Sequence, residues 1–293
     1  MKLHLLDGTY ELFRSYFGVP SRTAPDGMEV AAVYGIIGST LGLLRQLDVT
    51  HVAAAFDTVI ESFRNDMFPG YKTGEGIEPE LLAQFPLAER ALNALGVVVW
   101  SMIEFEADDA IASAAFQFGD DFDQVVMLSP DKDLSQCVVD NRIVTFDRRQ
   151  EILRGEDEVM EKFGVWPQSI PDYLALVGDT ADGIPGLPGW GAKSSSAVLA
   201  RFTHIEDIPA AEAEWGVAVR SAGKLAATLE AHRDEALLYR SLAVLRRDVP
   251  IEESVADLEW KGAHRQEFEV LCAELGFDDL ASRPHLWADE STA

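Results

Sequence analysis

The feature that most constrains the fold is an alternation of short apolar runs with longer amphipathic runs through the first half of the chain. The short runs have the length and composition of buried β-strands: Lys2–Leu6, Val52–Phe56, Gly96–Trp100, Val125–Leu128 and Ile143–Phe146. The longer runs have the apolar spacing of helices: Val30–Gln46, Leu81–Leu95 and Asp108–Phe118. Strands that alternate with helices are typical of βαβ units, so the sequence predicts an α/β fold with a mostly parallel sheet.

The strand pattern stops at Trp166-Pro167 and gives way to helical spacing. Residues 168–247 are predicted to be helical, with an interruption at the stretch Gly178–Gly191, which is rich in glycine and proline. We therefore predict an α/β core over residues 1–167, a helical subdomain over residues 168–250 and a C-terminal extension over residues 251–293. The last residues, Ala288–Ala293, are expected to fray.

Three predicted strands run directly into an aspartate, namely Asp7, Asp57 and Asp131. Ligands of open α/β sheets bind beyond the carboxyl ends of the strands, so parallel strands would bring these carboxylates to one edge. Further acids are candidates for the same site: Glu106, Asp108, Asp109, Asp133, Asp179 and Asp182. Converging carboxylates need a counter-charge, and oxygen ligands favour Mg²⁺ or Mn²⁺ over zinc. Two such ions would suit hydrolysis of a phosphodiester.

Each of these acids also has a simpler structural explanation. A single aspartate after a strand commonly caps a helix or forms a turn. The pair Asp108-Asp109 would suit a helix N-terminus, where negative charge is favourable. Taken one at a time the acids favour the structural explanation, whereas the joint pattern favours a metal site.

A glycine-rich stretch, Gly183–Gly191, precedes Lys193, the serines Ser194–Ser196 and a helix with apolar spacing. Glycines permit close approach of the backbone, and a helix N-terminus points N–H groups at an anion. This arrangement indicates a site that binds the phosphate backbone of a nucleic acid and does not recognise its bases. The alternative is a plain turn between two helices.

The composition of the chain limits the cellular compartment and the binding partners that we expect for the protein. The formal net charge is −26, and such a surface repels polyanions at long range. The two cysteines, Cys137 and Cys272, provide neither a disulfide framework nor zinc-ligand spacing. The sequence contains no signal-peptide pattern and no apolar stretch of membrane-spanning length, so we expect a cytoplasmic protein with no membrane partner.

From about Leu5 to about Val249 the chain resembles the bacterial 5′ nucleases, which comprise the 5′–3′ exonuclease domain of DNA polymerase I and its stand-alone flap endonuclease relatives. The matching motifs occur in the family's order: Leu6-Asp7-Gly8, Phe13-Arg14, Ala32-Val33-Tyr34-Gly35, Phe56-Asp57, Ser62-Phe63-Arg64, Gly70-Tyr71-Lys72, Glu106-Ala107-Asp108-Asp109, Asp131-Lys132-Asp133-Leu134, Gly178-Asp179, Asp182 and Gly189-Trp190-Gly191-Ala192-Lys193. The resemblance implies a PIN-like nuclease core, with an arch at about residues 64–90, followed by a helix–three-turn–helix subdomain of the helix-hairpin-helix type.

The resemblance also implies two divalent metal ions, Mg²⁺ or Mn²⁺. Asp7, Asp57, Glu106 and Asp108 correspond to the ligands of one ion. Asp131, Asp133 and Asp182 correspond to the set near the second, with Asp109 and Asp179 close by. Among these residues, Asp108 is the one whose replacement is expected to abolish turnover.

The remaining matched residues are implied to contact DNA. Arg64 and Lys72 match basic residues that engage the scissile phosphate, Phe13 matches an aromatic residue that stacks on a terminal base, and Arg14 matches an arginine near the substrate. The hairpin residues match an element that grips the duplex backbone with a bound K⁺: Gly189, Gly191, Lys193 and Ser194.

The sequence departs from the family in its charge. From Gln46 through Glu89 the only lysine or arginine residues are Arg64 and Lys72, and Glu75 stands where relatives commonly carry a basic residue. An acidic arch argues against tight threading of a long flap. We expect weak binding of DNA with steep salt dependence on a locally basic face, for which the candidates are Arg14, Arg64, Lys72, Lys193, Arg201, Arg220 and Lys224.

We therefore predict a divalent-metal-dependent 5′–3′ exonuclease or flap endonuclease that hydrolyses DNA by a two-metal mechanism in replication or repair. Its substrate would be DNA with a 5′ end, a flap or a nick, and it would act as a monomer, alone or with a separate repair polymerase. The alternatives are a PIN-type ribonuclease, a structure-specific DNA-binding protein with weak catalysis, and a structural acidic metal-binding protein.

Overall fold

The computed structural model describes residues 1–46 and 48–288, and the chain packs into two compact units. The first unit comprises Met1–Ile60, Gly74–Ser129 and Arg247–Ala293, and the second comprises Glu61–Thr73 and Pro130–Arg246. Residues 289–293, which include most of the segment expected to fray, lie outside the described residues. The units interleave along the chain, and the domain limits at Pro167 and residue 250 stay predictions.

Six strands form the β-structure of the described residues: β1 (Lys2–Asp7), β2 (His51–Asp57), β3 (Val98–Met102), β4 (Gln124–Leu128), β5 (Ile143–Asp147) and β6 (Ile152–Arg154). In the first unit they lie in the order β3-β2-β1-β4, and every neighbouring pair is parallel. In the second unit β5 and β6 form an antiparallel pair. The predicted α/β class with a mostly parallel sheet is confirmed, whereas the short strand β6 was not predicted.

Twelve α-helices lie in the described residues: α1 (Gly8–Gly18), α2 (Ala31–Leu44), α3 (Phe63–Met67), α4 (Pro79–Leu82), α5 (Phe85–Ala94), α6 (Ala107–Gln117), α7 (Glu156–Phe163), α8 (Ile170–Val177), α9 (Ala192–Phe202), α10 (Ala222–Ala231), α11 (Arg233–Ala243) and α12 (Arg265–Leu275). The helix predicted over Leu81–Leu95 is two helices, α4 and α5. Pro86 lies in the first turn of α5, where its missing N–H costs no hydrogen bond, and this position favours a fresh helix start.

The core of the first unit forms around its two central strands. All seven residues of β2 are buried, and Leu3, Leu5 and Leu6 of β1 have no exposed surface. Helices α1 and α6 pack against β2, and α2 and α5 pack against each other. The small side chains Ala53–Ala55 fill the middle of β2, so that the covering helices approach the sheet closely. This burial fixes the register that aligns the carboxyl ends of β1 and β2.

A closing segment, residues 247–288, completes the first unit from the far end of the chain. The amide of Val52 in β2 donates a hydrogen bond to the carbonyl oxygen of Leu258 (3.0 Å). Gly96 has φ +76°, and a Cβ atom there would lie 2.2 Å from the carbonyl oxygen of Gly262. The segment therefore lies directly against the backbone beside β3, where only glycine fits.

Candidate active site

Two carboxylates of the first unit stand at neighbouring strand ends. The register pairs Asp7 with Ala55, so Asp57 lies two residues further along the adjacent strand. Asp7 caps α1: its Oδ1 accepts from the amide of Tyr10 (2.8 Å) and its Oδ2 accepts from the hydroxyl of Ser129 (2.7 Å). The sheet thus aligns the two aspartates, and each is also held by hydrogen bonds within this unit.

The acids at the start of α6 approach the same edge. Asp57 Oδ1 accepts from the amide of Ala107 (2.7 Å), the first residue of that helix. Glu106 caps α6, and its amide donates to Oδ2 of the fully buried Asp109 (3.0 Å). The structure therefore brings Asp57 to the N-terminus that carries Glu106 and Asp108, and it gives Asp109 a capping role. Helix capping, the simpler of the two predicted explanations, is thus seen for Glu106 and Asp109, and a metal site formed by these acids stays a prediction.

The second unit contains a tighter cluster. Carboxylate oxygens of Asp133, Asp179 and Asp182 all lie within 4.8 Å of one another. Asp131 supports this group, because its Oδ1 accepts from the amide of Asp133 (2.8 Å). Asp179 begins a closed loop, in which it exchanges two backbone hydrogen bonds with Ile184 (both 2.8 Å). The loop turns Asp179 and Asp182 towards Asp133.

The cluster has the electrostatics of a cation site. Burial, and then the charges of Asp131, Asp182 and Asp179, raise the pKa of Asp133 well above its ordinary value. Asp133 Oδ1 is buried without a hydrogen-bond partner. Three carboxylates at this spacing, one of which has a buried and unsatisfied oxygen, fit an oxygen-ligated divalent cation.

Two lysines offset part of the negative charge. Lys132 forms an ion pair with Asp179, and Lys72 Nζ lies 3.2 Å from Asp182 Oδ1. Burial alone would lower the pKa of Lys132, but the hydrogen bond with Asp179 and the charges of Asp133 and its neighbours raise it. Lys72, which the resemblance implies at the scissile phosphate, thus lies directly beside the acidic cluster.

Arg64, which was expected beside Lys72 at the scissile phosphate, is buried instead. Its side chain is 0% exposed. Its Nε donates to the carbonyl oxygen of Leu242 (2.8 Å) and its Nη2 to that of Val244 (2.9 Å), at the end of α11. The guanidinium also lies over the ring of Phe63, 4.6 Å from its centroid. This structure therefore holds Arg64 inside the second unit, away from solvent.

Phe13 and Arg14 lie on α1 in the first unit. The ring of Phe13 meets that of Phe85 edge to face, with centroids 6.1 Å apart. Arg14 pairs with the buried carboxylate of Glu11, and its Nη2 donates to the hydroxyl of Ser39 (2.9 Å). Burial of Glu11 could not be predicted from the sequence, since an acid on a helix is ordinarily solvated.

The glycine hairpin opens onto a groove in the second unit, a cavity of about 710 Å³. Helix α9 begins after Gly191 and helix α10 begins after Ser221, and both of these preceding residues line the groove. The polar and glycine residues of the groove are Gly189, Gly191, Lys193, Ser194, Arg220, Ser221 and Lys224. Trp190 is buried between these glycines, and its Nε1 donates to the carbonyl oxygen of Leu225 (3.3 Å). Four of the residues predicted to hold a phosphate backbone thus share one groove with two further cations.

Comparison with known proteins defines the class. Residues 2–164 match the family described as "5′-3′ exonuclease, N-terminal resolvase-like domain", and residues 165–266 match "5′-3′ exonuclease, C-terminal SAM fold". The chain belongs to the 5′–3′ exonuclease family. The predicted resemblance to the bacterial 5′ nucleases is confirmed.

The curated relatives are bacterial polymerases. The chain is 34% identical over 288 residues to DNA polymerase I of Bacillus caldotenax, which covers 96% of this chain and 32% of the relative. It is also 34% identical over 286 residues to DNA polymerase I of Bacillus subtilis, with the same coverage of both. The chain therefore spans about a third of the length of the curated relatives it matches.

Solved structures share the fold. The T5 5′-exonuclease, solved with bound divalent metal ions (zinc), superposes with a TM-score of 0.68 at 17% identity, covering 100% of this chain and 98% of that one. The catalytic core of Rad2 in complex with a DNA substrate gives a TM-score of 0.60 at 13% identity, covering 99% and 89%. Within residues 1–46 and 48–288, no helix has the length and apolar character needed to cross a membrane.

Proposed function

We propose that this chain is a 5′ nuclease that uses two Mg²⁺ or Mn²⁺ ions to hydrolyse DNA at a 5′ end, a flap or a nick. The observation that carries the proposal is the cluster of Asp133, Asp179 and Asp182, with its buried and unsatisfied carboxylate oxygen. Relatives support it: the T5 flap endonuclease has been solved as a pseudo-enzyme-product complex with DNA and metal ions.

The two groups of carboxylates suggest two ion sites. Asp7, Asp57, Glu106 and Asp108 would hold one ion, and Asp131, Asp133 and Asp182 the other, with Asp109 and Asp179 supporting them. When bound, such ions supply Lewis acidity at the phosphate and lower the pKa of a water molecule. Lys72 would neutralise charge on the phosphate, because its ammonium already faces Asp182.

The groove in the second unit would hold the duplex. Two helix N-termini and three exposed cations line it, and such a surface binds phosphate groups independently of base sequence. Lys193, Arg220 and Lys224 supply the charge, and Ser194 supplies a hydroxyl. A K⁺ ion at the hairpin, stacking of Phe13 on a terminal base and a contact of Arg14 with the substrate belong to the same proposal.

The exposed charge after β2 favours substrates with little 5′ single strand. Between residues 61 and 80 every exposed charged side chain is acidic: Glu61, Asp66, Glu75, Glu78 and Glu80. Arg64 is buried, and Lys72 is engaged by Asp182. We expect recessed and nicked 5′ ends to be cleaved faster than long flaps. The monomeric state, the separate repair polymerase and the cytoplasmic location stay predictions.

Cleavage of three 5′-labelled DNAs tests the proposal: a nicked duplex, a 5′ flap and a single strand, each with Mg²⁺, Mn²⁺ or chelator. The wild type should release short products from the duplex ends only with metal. Asp108→Ala and Asp133→Asn should be folded and inactive. Glu161→Gln, which removes an exposed acid from α7, should remain active. Metal-independent cleavage, or full activity of Asp133→Asn, would contradict the proposal.

A further inference from the structure

A path of hydrogen bonds and short backbone steps joins the end of α11 to the acidic cluster, entirely within the second unit. It starts at the carbonyl oxygens of Leu242 and Val244, which accept from the guanidinium of Arg64. Arg64 belongs to α3, a helix of only five residues that could not persist without such an anchor. The fully buried guanidinium therefore fixes this short helix against α11, about 180 residues away in sequence.

Asn65 forms the next part of the path, because both polar atoms of its side-chain amide make hydrogen bonds. Its Oδ1 accepts from the amide of Ser62 (2.8 Å), which closes the capping box of α3. Its Nδ2 donates to the carbonyl oxygen of Lys72 (2.9 Å), seven residues later. The side chain thus ties the start of α3 to the backbone of Lys72.

Lys72 ends the path at the cluster by two contacts with one residue. Its amide donates to the carbonyl oxygen of Asp182 (3.0 Å), and its Nζ lies 3.2 Å from Asp182 Oδ1. The two segments also touch tightly beside this point, because a Cβ on Gly183 would lie 2.2 Å from the carbonyl oxygen of Gly70. The position of the ammonium relative to the carboxylates is therefore set by backbone contacts.

We propose that Arg64 and Asn65 are positioning residues, which hold Lys72 at the acidic cluster, and that neither contacts the substrate. This inference rests on the proposed function for its effect on catalysis, but the positioning itself is a property of the protein without metal or DNA. It replaces the expected contact of Arg64 with the scissile phosphate, because a side chain with no exposed surface serves the site through Lys72.

The sharpest test is Asn65→Asp. The carboxylate keeps an acceptor for the Ser62 amide but cannot donate to the Lys72 carbonyl oxygen. Amide hydrogen exchange, followed by mass spectrometry without metal or DNA, should show the Lys72 amide exchanging about tenfold faster than in the wild type. Asp66→Asn changes an exposed charge on the same short helix and should leave this exchange unchanged. Wild-type protection of Lys72 in Asn65→Asp would overturn the proposal, as would faster exchange spread evenly over the whole second unit.

Kinetics and binding supply the second arm. In Asn65→Asp, kcat on a nicked duplex should fall about tenfold while KM stays within twofold, as expected when support of a catalytic group is lost. In Arg64→Met, the slope of log affinity for DNA against log salt concentration should equal that of the wild type. A slope lower by about 0.9 would make Arg64 a phosphate contact and overturn the proposal. If Arg64→Met does not fold, the Asn65→Asp variant still tests the positioning proposal. If the wild type cleaves no DNA, the proposed function fails, whereas the exchange experiment still tests the positioning.

Discussion

Removing the three cations of the groove should abolish most of the salt dependence of duplex binding. Lys193, Arg220 and Lys224 are all exposed, so their replacement by alanine should change the free energy of unfolding by less than about 0.5 kcal/mol. Each cation that neutralises a phosphate adds about 0.9 to the slope of log affinity against log salt, and three add about 2.7. Over a fourfold rise in salt, such a slope corresponds to a loss of about 40-fold in affinity.

Fluorescence anisotropy of a labelled duplex measures this slope between 50 and 200 mM KCl. Ca²⁺ is present to neutralise the carboxylates, and a denaturing gel checks that the DNA stays intact. The triple variant should lose about 2.7 from the slope, and Lys193→Ala alone about a third of that. Lys261→Ala removes an exposed charge outside the groove and should keep the wild-type slope. A triple variant whose slope falls by less than one would refute the assignment of the duplex to this groove.

Three further predictions concern the cluster and its surroundings. The pKa of Asp133 is raised in the folded protein, so its contribution to stability is present below the unfolded pKa and is lost as pH rises through the folded pKa. In thermal scans followed by circular dichroism, Asp133→Asn should therefore have a higher melting temperature than the metal-free wild type at pH 7. At pH 3 the two proteins should melt at the same temperature. Glu75→Lys should speed cleavage of a 20-nucleotide flap several-fold more than cleavage of a nick, and equal effects on both would dismiss the electrostatic argument. Gly183→Ala should lower the free energy of unfolding, measured in urea, by about 1–3 kcal/mol, because its φ is +73° and the backbone of Gly70 leaves no room for a Cβ atom. Gly38→Ala is the control: the space around Gly38 is open, so this change should not destabilise the protein.

The sequence predicted the framework of the first unit well because its signals are local. Buried strands such as β1 and β2 are short apolar runs, and each ends at an aspartate that the chain shows directly. Parallel pairing then follows from the intervening helices, and convergence of Asp7 and Asp57 follows from the pairing. Helix α1 was not predicted, since its buried face includes Glu11 and Ser15 rather than a clear apolar stripe.

The parts that escaped prediction depend on distant partners. Arg64 has the appearance of a surface cation in sequence, yet its buried guanidinium donates to carbonyl oxygens at the end of α11, far along the chain. Trp190 interrupts a glycine hairpin, and its buried ring packs against Trp215 with ring centroids 5.9 Å apart. Both cases require tertiary contacts that no periodicity or motif encodes. The chemistry of a residue type is readable from the sequence, whereas the direction of its side chain is not.

The closing segment also sets an order of events during protein synthesis. About 120 residues of the second unit lie between Ser129 and Arg247, and ribosomes add roughly 5–20 residues per second. Strands β1 to β4 therefore leave the ribosome on the order of ten seconds before the segment that covers the backbone beside Gly96. During that interval the second unit can fold first, while strands β1 to β4 still have exposed apolar surface. A nascent chain stalled before Arg247 should be cut readily by protease within residues 1–60 and 74–129, whereas the full chain after release should resist the protease.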